Sequence, residues 1–202
     1  MLKWLLIMCV AYSAGVTAET KVLAFAGSTR NDSINKKLVV EAANMARQKG
    51  ATVTVVDFKD FQIPFYDEDL ENESGMPAKA KELRNLMINS DVIFIASPEY
   101  NSSIPGILKN ALDWTSRTED GDASRDAFKG KKFAIMSSSP GGGGGARGLV
   151  HLRGIIEAAG GTVIKEQVVI PKGFEAFDQQ GHLKNPQVKK ELQALVDKAL
   201  NK

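Results

Sequence analysis

Three polar stretches hold most of the residues whose types and spacing can do chemistry. The first is GSTRNDSIN, residues 27–35. Ser28, Thr29, Arg30, Ser33 and Asn35 crowd it, and helical apolar spacing begins at Ile34. Hydroxyls, backbone N–H groups and a helix N-terminus together make an anion site, because each presents positive partial charge. A guanidinium at Arg30 completes the match to a phosphate. No GKS or GKT follows, so this is not the phosphate loop of nucleoside triphosphatases. Gly27 stands alone, so it is not a dinucleotide fingerprint either. The donors suit a monophosphate better than a pyrophosphate. The same residues also describe a plain capping loop, with Ser33 closing the helix and Arg30 in solvent.

The second stretch is PEYN, residues 98–101. Tyr100 can line a flat ligand and the Asn101 amide can bond its edge. Pro98 and Asn101 are equally common turn residues. The third is SPGGGGGARG, residues 139–148. It reads either as a spacer between domains or as a backbone surface kept free of side chains for close approach. Metal chemistry has little to work with. His151 and His182 are too few for a histidine-based site and are expected as surface or packing residues. Cys9 alone allows no disulfide, zinc cluster or CxxC within one chain.

The elements that must position these loops follow from periodicity. Apolar and β-branched runs predict strands at 21–26, 51–56, 91–96, 132–136 and 162–170. Spacing of three and four predicts helices at 34–49, 78–89, 104–114, 148–159 and 186–200, with residues 57–76 irregular. DVIFIA at 91–96 is almost wholly apolar, so it is expected at the centre of a sheet covered on both faces. Strand and helix alternate five times, which argues an α/β fold with a parallel sheet and helices on both sides. Ligands in such sheets bind beyond the carboxyl ends of the strands, and all three polar stretches fall there. A flexible spacer inside one such unit makes little sense, so the glycine run is expected to be a wall of the site.

Composition sets further bounds. With 202 residues, 43% hydrophobic and 25% charged, one globular domain is the default. A formal charge of +2 supplies no field for a nucleic-acid partner. Residues 1–18 read as a signal peptide or N-terminal apolar leader: MLK, an apolar run, then VTA ending at Ala18. The run is short of the roughly 20 residues a membrane-spanning helix needs. Cleavage would remove Lys3 and Cys9, leave a charge of +1, and preclude stable membrane insertion. The expectation is export, to a bacterial periplasm, with cytoplasmic or membrane-anchored placement as the alternative. NDS at Asn31 and NSS at Asn101 are sequons inside the polar loops, so a glycosylating route conflicts with ligand binding there.

GSTRNDSIN, PEYNSSIPGILKNALDW and SSSPGGGGGARG closely resemble three motifs of the NAD(P)H-dependent FMN reductase family, which includes quinone, chromate and azo-compound reductases. The resemblance covers roughly residues 21–170. It implies a flavodoxin-like, doubly wound five-stranded parallel sheet of order 2-1-3-4-5, filling residues 20–202. It implies that Ser28, Arg30, Ser33 and Asn35 bind the FMN phosphate. Pro98, Glu99, Tyr100 and Asn101 would hold the isoalloxazine and ribityl parts. The backbone of Ser139, Pro140, Gly141 and Gly142 would follow the pyrimidine side. No side chain need act as acid or base, because the flavin carries the chemistry. NADPH or NADH would be the co-substrate and a quinone, azo compound, metal oxyanion or free flavin the acceptor. The alternative is a non-enzymatic flavodoxin-like electron carrier, but those are usually strongly acidic. Family members are commonly homodimers or homotetramers. That makes Trp114 and the polar segment 115–126 candidates for subunit contact, a solvated loop being the other reading.

Overall fold

The computed structural model describes residues 19–201, so the leader lies outside the described residues. In chain order the elements are β1 (Lys21–Ala26), α1 (Ile34–Gln48), β2 (Thr52–Val56), a 3₁₀ turn (Phe58–Asp60), α2 (Glu68–Ser74), α3 (Ala78–Ile88) and β3 (Val92–Ala96). There follow α4 (Gly106–Thr115), β4 (Lys132–Ser138), α5 (Ala146–Ala158), β5 (Thr162–Val163), β6 (Val168–Ile170), α6 (Gly173–Ala176) and α7 (Pro186–Leu200). All sheet pairings are parallel, in the order β2-β1-β3-β4-β5, with β6 also on β4. This is the expected order 2-1-3-4-5.

Strand alternation explains the two layers. Val22, Ala24 and Ala26 of β1 face α1 and α7, while Leu23 and Phe25 face the layer of α3, α4 and α5. β3 does the same with Val92 and Phe94 on one side and Ile93 and Ile95 on the other, and all five of its residues are buried. Each fully buried Leu, Ile or Phe contributes roughly 2–3 kcal/mol. The apolar run therefore belongs at the centre, between β1 and β4.

The expected fifth strand is two strands. Between the pairs Phe133–Val163 and Met136–Val168, β4 advances three residues and its partner five. The surplus bulges out, as extra residues in a ladder must. Arg153 holds the bulge, donating to the carbonyls of Val163, Ile164 and Lys165 at 3.3, 2.8 and 3.2 Å.

Residues 57–76 are more regular than expected, and a buried ionic network is the reason. The Glu71 side chain is 1% exposed. It accepts from Arg117 Nε and Nη2 at 3.0 and 2.7 Å and from the Tyr66 hydroxyl at 3.1 Å. Trp114 stacks edge-on against Tyr66 and gives its indole N–H to Pro64 O at 2.8 Å. Trp114 is fully buried within its own chain, which corrects its reading as a subunit contact. Segment 115–126 is tied to its own chain through an Arg117–Ala123 bridge and an Arg84–Asp126 ion pair, and Glu119, Asp120 and Asp122 in it stand exposed. The Arg117 guanidinium holds the Glu71 carboxyl below its usual range, against the opposing effect of burial. Glu71→Ala leaves that guanidinium without its partner, and the expected cost is about 3 kcal/mol in a denaturant titration.

Candidate functional site

The loops after β1, β3 and β4 meet over the carboxyl ends of those strands in one shallow cleft. Ser28, Arg30, Ser33 and Asn35 line it from the first loop, Pro98, Glu99 and Tyr100 from the second, Ser139 and Pro140 from the third. Asn101, Gly141 and Gly142 stand outside that lining. Ile34 and Ser138, which the sequence did not single out, complete it.

The first loop turns tightly under α4. A Cβ on Gly27 would lie 2.9 Å from Leu108 Cδ2. Ser28 is 4% exposed and its Oγ accepts the Arg30 N–H at 3.3 Å. Ser33 occupies the N-cap position of α1 but makes no side-chain cap bond, although it is 4% exposed. Its hydroxyl is therefore available to the cleft, beside the unpaired N–H groups of the first helical turn. The capping reading fails at Ser33, while its other half, Arg30 in solvent, is what the structure shows. Arg30 is exposed and, among the described residues, has no carboxylate within ion-pair distance.

Asn35 is spent differently. It is 2% exposed, donates from Nδ2 to Ser138 O at 2.8 Å, and accepts the Ser138 N–H at Oδ1 at 2.9 Å. Its amide thus fastens the start of α1 to the end of β4. Ser137 Oγ donates to Ser97 O at 2.6 Å and ties β4 to the second loop.

PEYN makes a turn and lines the cleft at once. Tyr100 and Ser103 exchange backbone hydrogen bonds at 2.9 and 3.0 Å. Asn101 and Ser102 between them have φ of 51° and 65°, the pattern of a mirror-image turn that asparagine tolerates and serine resists. Tyr100 is half exposed over the cleft. The Glu99 carboxylate accepts the Gly148 N–H at 3.0 Å and is bonded by Arg147 Nη2 at 2.8 Å. The Gly148 N–H first, then Arg147, hold its pKa below the ordinary value, against burial.

The five glycines divide into two sets. Gly144 (φ 60°) and Gly145 (φ 93°) adopt left-handed backbone. A Cβ on Gly144 would lie 2.5 Å from Val169 Cγ1, and one on Gly145 would overlap Ser137 Oγ. Nothing lies within 4 Å of a Cβ at Gly142 or Gly143, and at Gly141 only Ser139 Oγ at 4.0 Å. Two glycines are thus required by packing, and three present open backbone. A fourth loop, after β6, braces the run. Lys172 N–H donates to Gly141 O at 3.3 Å and Gly173 N–H to Ser139 O at 2.9 Å. The sequence offered a signal for it only in PKG, residues 171–173.

A family model described as NADPH-dependent FMN reductase matches residues 20–175. The chain belongs to this family. An NAD(P)H-dependent FMN reductase of Pseudomonas aeruginosa is 34% identical over 182 residues, covering 88% of this chain and 94% of the other. A quinone reductase of Escherichia coli is 33% identical over 178 residues, covering 81% and 88%. Among solved structures, the flavoenzyme NAD(P)H:(acceptor) oxidoreductase of Paracoccus denitrificans superposes with a TM-score of 0.74 at 28% identity, over 89% of this chain and 94% of that one. This reductase thus shares both sequence and fold with flavin-dependent enzymes over nearly its whole described length.

Two measurements test the geometry. Gly145→Ala should lower stability by about 2 kcal/mol or more, from overlap and positive φ together, while Gly142→Ala stays within about 0.5 kcal/mol. Glu99 has a lowered folded-state pKa, so its stabilisation is full above the ordinary carboxylate range and is lost as pH falls through the folded value. The difference in Tm between wild type and Glu99→Gln should be flat near neutrality and shrink in acid.

Proposed function

We propose that the protein is an FMN-dependent oxidoreductase that uses NADPH or NADH to reduce a small-molecule acceptor: a quinone, azo compound, metal oxyanion or free flavin. The observation that carries this reading is the meeting, in one cleft, of a donor-rich first loop with Pro98, Glu99 and Tyr100 of the second loop and with Ser139 and Pro140, which lead into the glycine run.

The residues present fit FMN. Ser28, Ser33, Arg30 and the first-turn N–H groups of α1 supply hydroxyl, guanidinium and amide donors for a dianionic phosphate. Asn35 is committed to Ser138 and serves the phosphate by holding that helix end in place. Glu99 serves in the same way, with its carboxylate on Gly148 and Arg147. Tyr100 would border the flat ring, and the backbone at Ser139 and Pro140 would meet it from the third loop. FMN, when bound, accepts two electrons from the nicotinamide and passes them to the acceptor. The protein's part is to bind, orient and exclude water.

Assembly as a homodimer or homotetramer belongs to the same proposal. Val150, 66% exposed on α5, supports it as an unpartnered apolar side chain. Export is proposed on the leader sequence alone.

The purified mature chain should retain FMN or be reconstituted with it, and its flavin absorption should bleach on adding NADPH or NADH under argon. A chain that takes up no FMN overturns the reading. Arg30→Ala should weaken FMN binding by about tenfold or more without changing the thermal melt.

A further inference from the structure

The exposed arginine at the start of α5 has no part in the flavin cradle described above. Arg147 is the second residue of that helix and its side chain is 73% exposed. Exposure of that degree usually means a mobile side chain. This one is held. Its Nε and Nη2 both donate to Glu99 Oε1, at 3.1 and 2.8 Å. Glu99 is itself only 11% exposed at its side chain, and its other oxygen takes the Gly148 N–H at 3.0 Å. The carboxylate is thus fixed to backbone, and it fixes the guanidinium.

A guanidinium has five N–H donors. Two are used on Glu99, and three remain for a ligand. The carboxylate offsets the formal charge of Arg147, but it also sits on the N-terminus of α5, where the helix dipole is positive. An anion approaching from solvent meets unspent donors backed by that dipole. The approach is open, since the Arg147 side chain is largely in solvent.

We propose that Arg147 anchors a phosphate of NADPH or NADH, with Glu99 as the residue that positions it. The inference rests on the flavoenzyme reading. The cradle at Ser28, Arg30 and Ser33 is matched to one monophosphate, that of the resident flavin. The incoming dinucleotide brings a pyrophosphate, and in NADPH a ribose phosphate as well. It is long, and its reacting ring and its phosphates cannot occupy one place. A second phosphate site therefore belongs at the cleft rim, away from the first loop. Arg147 is a pre-ordered cation there, bonded to a residue of the cleft wall.

The test uses FMN-loaded protein and the variants Arg147→Ala, Arg147→Gln and Arg147→Lys. Glutamine removes the charge but keeps a donor for Glu99, which protects the fold. In both neutral variants the affinity for 2′,5′-ADP, measured by calorimetry, should fall about tenfold, and KM for NADPH should rise by a similar factor. Lysine should recover part of the loss. In Arg147→Gln, which keeps a donor for Glu99, FMN affinity and the rate with 1-benzyl-1,4-dihydronicotinamide, a donor without phosphate, should be unchanged. An effect on NADPH alone assigns the ribose phosphate, and an equal effect on NADH assigns the pyrophosphate. Unchanged 2′,5′-ADP affinity overturns the proposal, as does an equal loss with the phosphate-free donor. Failure of the wild type to bind FMN would instead remove the flavoenzyme reading beneath it.

Discussion

Asn35 reaches from the second position of α1 to both backbone groups of Ser138, and the geometry of the cleft depends on that reach. The N-terminus of α1 is the anion-facing part of the first loop. The end of β4 is where the glycine run departs. Nothing in the sheet ladder links the two directly. A single buried amide does, in the manner of one more strand partner. Ser137 extends the tie to the carbonyl of Ser97 and so to the second loop. Each such bond is worth about 1 kcal/mol net, but an orphaned buried partner costs more than that. The site is therefore held together by groups that the ligand itself never needs to touch.

Glu99 acts on the same principle one step further out. Its carboxylate joins the second loop to the start of α5 through Gly148 and Arg147. The cleft is thus a set of loops laced to each other by side chains acting on backbone. That arrangement suits a site whose chemistry resides in a cofactor, where the protein's contribution is rigid orientation. Away from the cleft lining, Glu71 and Arg117 do comparable work, folding segment 115–126 against residues 57–76.

The glycine run combines two requirements that look identical in one-letter code. Gly144 and Gly145 are needed where the chain turns left-handed and presses on Val169 and Ser137. Gly141 to Gly143 are exposed and have open space where a side chain would stand, and their value is the bare backbone they present. The length of the run follows from stacking one requirement on the other. Only the φ values and the neighbours separate them.

By itself the sequence determined the alternation of strands and helices, the central place of 91–96, and the three loops that gather at the sheet's carboxyl edge. These follow from periodicity and from chirality, which are local or nearly so. It also determined the family, since three motifs with fixed internal spacing are present nearly whole. The tertiary structure alone decided that Asn35 and Glu99 are spent on the protein, that Ser33 is not spent as a cap, and that Trp114 is buried. It also decided that the last expected strand breaks at a bulge held by Arg153. The physical reason is the same in each case. A side chain's chemical type is written in the chain, but its partner is set by register and packing between residues as far apart as 35 and 138.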